Sequence, residues 1–304
     1  YGLGGVATND EAVAGIYAAK GRPSDNPLIV HIGAFEQLDR YVMDLSDKAK
    51  ACMKAFWPGP LTVICKVKPG TLSNKVTAGL DTVGIRMPNH PVALRLLRQL
   101  DEPVAAPSAN TSGKPSPTEG VHVEEDLTGR IPLILDGGAT GIGVESTVID
   151  LTLDTPTILR PGGITKEMFE SVIGPVNEPT HIEQKAGAPK APGMKYTHYA
   201  PDAPVYQIAC DVDVVTRAVA TLHAEGKKVA LLAPDAFSNI DSDWFFTFGD
   251  GSHAQMAAHL YDALRACNAT DADIVLATIT DKSDVGSAIM NRLEKSAGGR
   301  FYEA

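Results

Sequence analysis

Six short runs of apolar and β-branched residues lie between residues 61 and 163, and several of them follow one another with no helical pattern in between. They read LTVICKV, TVGIRMP, PVAAPSAN, PLILDGG, STVIDL and PTILRPGG. Runs of this kind, bounded by Gly and Pro, are typical of buried strands. Because successive parallel strands need a crossover between them, this spacing predicts an α/β domain on a twisted mixed sheet with helices, not a regular βαβ winding.

Helical patterns precede and interrupt these strands. The segment DEAVAGIYAAKG follows Asn9, a residue type that often caps helix N-termini, and ends on Gly21. We therefore expect a short helix with Lys20 at its C-terminal end. The run NPLIVHI then predicts a buried strand. Further helices are predicted at FEQLDRYVMDL, at DKAKACMKAFW, at PVALRLLRQL and after Gly163.

The composition changes at residue 177. Residues 177–204 lack apolar periodicity and are rich in Pro, Gly and Ala, which is typical of a linker. Residues 205–304 then alternate strand and helix patterns, from VYQIA to GSAIMNRLEKSAGG, and predict a small Rossmann-like α/β domain. The expected organisation is a first domain over 1–176, a linker over 177–204 and a C-terminal domain over 205–304.

The overall charge and the cysteines exclude several classes of function. A net charge of -10 and a pI near 5.3 argue against strong direct binding to nucleic acid, which needs many Lys and Arg side chains against phosphates, although a local basic pocket is compatible with them. The four cysteines are far apart, without a Cys-x-x-Cys pair or a nearby His at metal-ligand spacing, and are expected to be reduced and mostly buried thiols. No apolar run approaches the ~20 residues that span a bilayer, so we expect a cytoplasmic protein without a membrane segment.

Polar side chains gather where the predicted strands begin or end. Lys20 and Arg22 precede Asn26 in an irregular loop, and residues 108–116 form a hydroxyl-rich loop after PVAAP. Loops of this kind bind anions through side-chain and backbone donors. Arg86 and Arg160 each lie at the end of another predicted strand. Cations from these three separate segments would suit a polyphosphate if they met in one crevice.

Each of these residues also has a purely structural interpretation. Lys20 and Arg22 follow a helix end, which favours cations in any case, and Ser108 and Asn110 are ordinary turn residues. His31 alternates with apolar neighbours in a strand and is compatible with a structural histidine. The residues alone leave these alternatives open. The sequence has no Gly-x-x-x-x-Gly-Lys-Ser/Thr, His-Glu-x-x-His or Gly-x-Ser-x-Gly motif, which disfavours the corresponding phosphate-loop, zincin and hydrolase mechanisms.

The order of the motifs is more specific than any one of them. KGRPSDNPLIVHI, WPGPLTVICK, TVGIRMPNHP, PVAAPSANTSGKPSPT, ESTVID and ILRPGGI, in this order, closely resemble the YrdC family of threonylcarbamoyl-AMP synthases. The linker APGMKYTHYAP and the trailing domain resemble the longer, two-domain form of that family. The resemblance covers nearly the whole chain and implies a YrdC-like fold followed by the linker and the Rossmann-like domain.

The resemblance implies an enzyme that makes threonylcarbamoyl-AMP and pyrophosphate from L-threonine, bicarbonate and ATP, with Mg²⁺ bound mainly through the ATP phosphates. The product would be passed to a downstream transferase complex that modifies tRNA. The implied catalytic residues are Lys20, Arg22, Ser108 and Asn110. The residues implied to bind ATP are Arg22, Asn26, Thr82, Ser108, Ser116, Arg160 and Tyr196. The residues implied to bind L-threonine are His31, Arg86, Ala106 and Ser146.

The first residues of the sequence and the linker lead to two further predictions. Gly2-x-Gly4-x-x-Ala7 matches a loose dinucleotide fingerprint, but family members have a strand and a Pro-Thr-Asp/Glu-Thr-Val segment ahead of Tyr-Gly-Leu-Gly. We therefore expect the sequence to start after that segment, which includes a threonine that helps to hold the amino acid. The rings of Tyr196, His198 and Tyr199 predict that the linker is a lid over ATP. The alternative is that these rings only pack the segment between the two domains.

Two alternative functions are considered. The first is an RNA- or ribosome-binding module that uses the basic concavity, which the acidic net charge and the few aromatic residues disfavour. The second is a carbamoyl-transfer domain like those inside hydrogenase-maturation proteins. The zinc-type cysteine motifs and the acylphosphatase segment expected for that class are absent from the sequence.

Overall fold

The computed structural model describes residues 1–178 and 199–303. These residues form two compact units. The first unit contains Tyr1–Thr111, Val123–Gly137 and residues 145–178. The second unit contains Ser112–His122, Gly138–Val144 and residues 199–303.

The first unit is built on a mixed sheet of eight strands, in the order β1-β6-β2-β5-β4-β7-β8 with β3 paired to β4. The β2/β5 and β4/β7 pairs are parallel and the other pairs are antiparallel. The predicted mixed sheet is therefore confirmed. The strands are β1 (Gly5–Val6), β2 (Ile29–His31), β3 (Val42–Met43), β4 (Leu61–Val67), β5 (Thr82–Arg86), β6 (Val104–Ala105), β7 (Thr147–Asp150) and β8 (Thr157–Arg160).

Seven helices accompany this sheet: α1 (Asp10–Lys20), α2 (Leu38–Tyr41), α3 (Asp47–Phe56), α4 (Asn74–Thr77), α5 (Pro91–Leu100), α6 (Gly120–Leu127) and α7 (Lys166–Ile173). Helix α1 has the predicted caps. The Asn9 side chain accepts hydrogen bonds from the Glu11 and Ala12 amides at 2.9 and 3.0 Å, and Gly21 takes the left-handed conformation, with φ of 62°. Lys20 is thus the last residue of the helix, as expected.

Two local predictions were wrong. In FEQLDRYVMDL a 3-10 turn over Phe35–Gln37 leads into the short α2, and the chain then extends into β3 because Val42 and Met43 pair with β4. PLILDGG forms no strand, and Leu133 in it is 69% exposed. An apolar run becomes a strand only when a neighbouring strand supplies hydrogen bonds, and the sequence pattern does not contain that information.

The second unit is an α/β domain with a four-stranded parallel sheet in the order β11-β10-β12-β9. The alternation predicted for the Rossmann-like domain is confirmed. The strands are β9 (Val205–Ile208), β10 (Val229–Ala233), β11 (Trp244–Thr247) and β12 (Ile274–Thr278). The helices are α8 (Val212–Ala224), α9 (His253–Ala266) and α10 (Gly286–Ala297).

The two sheets bury their faces differently. In the first unit a large apolar cluster, with Val63 and Ile85 among its members, packs one face of the sheet, and only a group of four residues, Ile29, Ile64, Val148 and Leu159, lies on the other. In the second unit both faces carry large apolar clusters, one including α8 and the other α9 and α10. Each fully buried aliphatic side chain in these clusters stabilises the fold by roughly 1.5–3 kcal/mol.

Among the residues that the structure describes, no helix combines the length and the apolar character needed to cross a membrane.

Candidate active site

A row of polar residues crosses five strands of the first sheet. His31 pairs with Arg86 between β2 and β5, and Arg86 pairs with Thr62 between β5 and β4. Thr62 pairs with Val148 of β7, which in turn pairs with Arg160 of β8. Residues directly opposite one another on neighbouring strands project from the same face of a sheet. His31, Arg86, Thr62 and Arg160 therefore share one face, and we call them the polar row.

The polar row lies on the face opposite the large apolar cluster. Thr62 and Ile64 alternate along β4 with Leu61, Val63 and Cys65, which belong to that cluster. Alternation along a strand therefore places Thr62 on the other face of the sheet.

The sheet surface beside the polar row is apolar and lacks a side chain at Gly84. Gly84 lies two residues before Arg86, and a Cβ atom at Gly84 would come within 3.0 Å of Thr62 Cγ2 and 3.4 Å of Ile64 Cδ1. A side chain at this position would thus crowd the residues beside it. The missing side chain leaves the sheet surface flat next to the two arginines.

Arg160 and Ser146 are held together by hydrogen bonds. The Arg160 guanidinium donates from Nε and Nη2 to the Ser146 carbonyl at 3.0 and 2.9 Å, and from Nη2 to Ser146 Oγ at 3.1 Å. Ser146 Oγ also lies 2.8 Å from Thr62 Oγ1. All three residues are buried. Bonds of this kind fix the orientation of a side chain, so Arg160 and Ser146 are pre-positioned on the sheet face.

The two arginines of the row repel each other electrostatically. Desolvation and, to a smaller extent, the charge of Arg160 lower the pKa of Arg86 to about 10. The guanidinium still carries its proton at neutral pH, and its Nε donates to the Gly59 carbonyl at 3.2 Å. Two cations enclosed near each other attract an anion strongly, because the local dielectric constant is below that of water. A carboxylate or phosphate would relieve their repulsion.

His31 contributes a neutral imidazole to the same face. Desolvation and the neighbouring charge of Arg86 lower the pKa of His31 to about 3, so the ring is uncharged at neutral pH. Its Nδ1 atom is buried and has no hydrogen-bond partner among the residues that the structure describes. A neutral imidazole in this position can donate or accept one hydrogen bond to a ligand.

Lys20 forms a second cluster with the loop after β6. The Lys20 side chain is 2% exposed, and its Nζ donates to the carbonyls of Ser108 and Asn110, the latter at 2.6 Å. The Asn110 Oδ1 atom is 3.4 Å from the same ammonium. The structure thus brings together three of the four predicted catalytic residues, with backbone oxygens of the loop as the first partners of the cation.

Arg22 and Asn26 lie together in the loop that precedes β2. Arg22 Nη2 donates to the carbonyls of Asn26 and Pro27 at 3.4 and 3.2 Å. Asn26 is 1% exposed, and its Oδ1 has no hydrogen-bond partner among residues 1–178 and 199–303. Ala106 connects this region to the sheet, because its amide donates to the Ile29 carbonyl at 3.0 Å as the chain leaves β6 toward Ser108.

Three predicted site residues are placed elsewhere or not described. Thr82 is buried at the start of β5, four residues before Arg86 and outside the polar row. Ser116 is buried in the second unit, where the carbonyl of the adjacent Pro115 accepts a hydrogen bond from Arg265 at 2.6 Å. Tyr196 lies outside the described residues, as does His198 of the predicted lid.

Tyr199, the third ring of the predicted lid, is described. It is buried in the second unit, with its ring 5.1 Å from that of Tyr261. The lid itself stays a prediction.

Sequence reasoning missed Thr62. The signal was present, because Thr62 is the one polar residue in the run LTVIC, and alternation puts it on the face opposite Leu61 and Val63. The apolar, β-branched pattern of LTVICKV predicts only a strand and assigns no role to the polar residue inside it.

Comparisons with known proteins identify the family. The family model described as "Telomere recombination", for the Sua5, YciO and YrdC proteins, matches residues 1–162. The model described as "Threonylcarbamoyl-AMP synthase, C-terminal domain" matches residues 164–298. The threonylcarbamoyl-AMP synthase of Bacillus subtilis (strain 168) is 50% identical over 302 residues, which cover 99% of this chain and 87% of the relative. The chain belongs to the threonylcarbamoyl-AMP synthase family.

Other family members agree with this assignment. The threonylcarbamoyl-AMP synthase of Pyrococcus abyssi (strain GE5 / Orsay) is 46% identical, with coverage of 100% of this chain and 89% of the relative. The crystal structure of P. abyssi Sua5 complexed with L-threonine matches with a TM-score of 0.94 and 44% identity, over 100% of this chain and 89% of that one. The predicted family, its long two-domain form and its identity as an enzyme family are thus confirmed.

Proposed function

We propose that this chain is an L-threonylcarbamoyl-AMP synthase, a nucleotidyltransferase that uses L-threonine, bicarbonate and ATP. The amine of threonine first forms an N–C bond with bicarbonate and releases water, which gives a carbamate. A carbamate oxygen then forms a bond to the α-phosphorus of ATP as the bond to pyrophosphate breaks. The observation that carries the proposal is the polar row, which combines two cations and a neutral imidazole on one face of the sheet in a chain of this family.

The threonine would bind to the sheet face. Arg86 can pair with the carboxylate through two parallel hydrogen bonds, and binding the anion would offset the repulsion between Arg86 and Arg160. Neutral His31 and Ser146 can hydrogen-bond the amino acid without adding charge, and the small Ala106 leaves space for it. These four threonine contacts are the ones that the family resemblance implies.

The nucleotide would bind to the cations beside the sheet. The reaction brings a carbamate anion against the negatively charged α-phosphate, so the site must neutralise charge and hold the two groups in line. Lys20, Arg22 and Arg160 supply positive charge for this purpose. The uncharged groups proposed for ATP are Asn26, Ser108 and Asn110 in the loops beside β2 and β6. Thr82, Ser116 and Tyr196 keep the ATP role only as what the family resemblance implies, since Thr82 begins β5, Ser116 belongs to the second unit and Tyr196 lies outside the described residues. Lys20, Arg22, Ser108 and Asn110 form the proposed catalytic group.

We assign Mg²⁺ to the ATP substrate. Among the residues that the structure describes, no group of three or more His, Cys, Asp or Glu side chains could hold a metal ion. Mg²⁺ bound to a nucleotide takes most of its ligands from phosphates and water, so it needs no dedicated carboxylate cage. The donor set of Lys20, Arg22 and neutral oxygen or amide groups suits a nucleotide that carries its own cation.

The product defines the partner. A mixed anhydride of a carbamate and AMP is an activated and hydrolysable compound, so a downstream transferase complex would take it and modify a tRNA adenosine. The net charge of -10 makes strong direct binding of this chain to the tRNA unfavourable.

The proposed domain organisation is unchanged. It consists of a YrdC-like domain over 1–176, a linker over 177–204 and a C-terminal domain over 205–304. The proposed location of the protein is the cytoplasm.

Mass spectrometry of the reaction products tests the proposal. The full-length protein is incubated with L-threonine, ¹³C-bicarbonate and MgATP, and controls omit one substrate at a time. We expect a product with the mass of threonylcarbamoyl-AMP that carries one ¹³C, together with pyrophosphate, only when all three substrates are present. Absence of this product, together with RNA binding that weakens steeply with salt, would favour the RNA-binding alternative instead.

A further inference from the structure

Two buried hydroxyl groups on the sheet face form a pair. Thr62 Oγ1 and Ser146 Oγ lie 2.8 Å apart, and the two residues are 0% and 1% exposed. The Arg160 guanidinium donates to Ser146 Oγ at 3.1 Å, and a guanidinium can only donate. Ser146 Oγ is therefore an acceptor in that bond.

The two hydroxyl groups have one more proton than their mutual hydrogen bond uses. Each hydroxyl has one proton, and their mutual hydrogen bond uses only one of the two. Over residues 1–178 and 199–303, neither Thr62 Oγ1 nor Ser146 Oγ has another acceptor within hydrogen-bond distance. A buried hydroxyl proton without an acceptor is energetically unfavourable. The pair thus presents one donor for an acceptor atom that a ligand would supply.

The Thr62 side chain places its hydroxyl group beside Ser146 and its methyl group on the other side. A Cβ atom at Gly84 would meet Thr62 Cγ2, so the threonine methyl group lies toward β5. The hydroxyl of Thr62 lies on the other side, at Ser146. If Thr62 donates to Ser146, both lone pairs of the serine are occupied, by Thr62 and by Arg160. The serine proton must then point to a third group.

We infer that Thr62 is a positioning residue that donates to Ser146 and so makes Ser146 a donor to an oxygen atom of the amino-acid substrate. The inference rests on the proposed function, which places Ser146 beside L-threonine. The acceptor is a carboxylate oxygen or the side-chain hydroxyl oxygen of the substrate. In either case Thr62 sets the affinity for the amino acid without contacting it.

The test compares three variants. Thr62→Val removes the hydroxyl at nearly constant shape, and Thr62→Ser keeps it. Thr147→Val is the matched control, because the Thr147 hydroxyl is also fully buried but, among the described residues, bonds only to the backbone of Ile164, at 2.8 and 2.9 Å. For each variant kcat and KM are measured for L-threonine at saturating MgATP and bicarbonate, and KM is measured for ATP.

We expect Thr62→Val to raise the KM for L-threonine about tenfold, the loss typical of one hydrogen bond, and to leave the KM for ATP within about twofold. Thr62→Ser should stay within about threefold of the wild type. Thr147→Val should lower the melting temperature and leave the KM for threonine within about twofold. In a Ser146→Ala background, Thr62→Val should add less than about twofold.

L-2-aminobutyrate, which lacks the side-chain hydroxyl, identifies the acceptor oxygen. If Ser146 donates to the carboxylate, Thr62→Val raises KM for both amino acids by the same factor. If Ser146 donates to the substrate hydroxyl, only the KM for threonine rises.

Three results would overturn the inference: a wild-type KM in Thr62→Val, no recovery in Thr62→Ser, or an equal effect of Thr147→Val. If Thr62→Val does not fold, Thr62→Ala takes its place in every comparison. A wild-type protein that makes no threonylcarbamoyl-AMP counts against the proposed function. An active wild-type protein with an unaffected Thr62→Val variant counts against the role of Thr62 alone.

Discussion

The two sheets of this protein differ in what their second face carries. In the parallel sheet, Ala230 and Leu232 of β10 belong to one apolar cluster, and Val229, Leu231 and Ala233 belong to the other. In the mixed sheet, alternate residues of β4 belong to the large cluster, but the opposite face presents the polar row. Buried charges and hydroxyls destabilise a fold unless they are paired, whereas an apolar face stabilises it.

This difference shows where chemistry can be located. The two faces of the parallel sheet are mainly apolar, so a polar ligand is expected at its strand ends. The mixed sheet holds Arg160 buried and Arg86 partly buried on one face at the expense of stability, and desolvation together with the charge of Arg160 lowers the pKa of Arg86 to about 10. Such an arrangement is expected of a site for an anion and is unnecessary for folding. We therefore propose that the first sheet binds the substrates and that the second contributes mainly to stability.

Removal of Lys20 should have the largest effect on the reaction. Lys20→Ala removes a buried ammonium held at the Ser108 and Asn110 carbonyls, and we expect product formation to fall about 10²- to 10³-fold, as for other lost charged contacts to a transition state. Pyrophosphate release measures this rate. Lys75→Ala is the control, because Lys75 is exposed in the same unit. A rate within threefold of the wild type in Lys20→Ala would remove this residue from the catalytic group.

A core substitution in the second sheet should affect stability and leave substrate binding unchanged. Leu276 of β12 is fully buried in the cluster beside α8, so Leu276→Ala should lower the free energy of unfolding by about 2–5 kcal/mol. Urea denaturation measures this change, and KM for L-threonine is determined at a temperature where the variant is folded. An increase in that KM comparable to the one expected for Thr62→Val would contradict the separation of the two roles.

His31 should make the protein less stable as the pH falls. The ordinary pKa of histidine, near 6.5, applies to the unfolded chain, and the folded value is about 3, so between these values only the unfolded state takes up the proton. The stabilisation from neutral His31 is complete above about pH 6.5. It is lost on acidification to about pH 3, by up to ~1.4 kcal/mol per pH unit.

Urea denaturation of the wild type and His31→Gln between pH 4 and 7 measures the contribution of this residue. The free energy of unfolding should fall less steeply with decreasing pH in His31→Gln than in the wild type, and the difference in slope should correspond to the uptake of at most one proton. Equal slopes in the two proteins would show that His31 has the same pKa in the folded and unfolded states, in contradiction to the lowered pKa on the sheet face.

The sequence predicted individual elements better than their assembly. The caps of α1 and the strands β4, β5, β7 and β8 follow from local signals, because capping residues and apolar runs act over a few positions. The polar row does not, since His31, Arg86, Thr62 and Arg160 become neighbours only through strand pairing between distant segments. The same reason explains the missing strand at PLILDGG.

The most direct test of the account is calorimetric titration of L-threonine into the wild type and Arg86→Ala without ATP. If the polar row binds the amino acid, the wild type should bind it and Arg86→Ala should bind it at least 100-fold more weakly, because a charged hydrogen-bonded pair is lost from a buried site. Leu276→Ala should retain the wild-type affinity. Equal affinity of the wild type and Arg86→Ala for L-threonine would show that the amino acid binds elsewhere and would contradict the assignment of the first sheet.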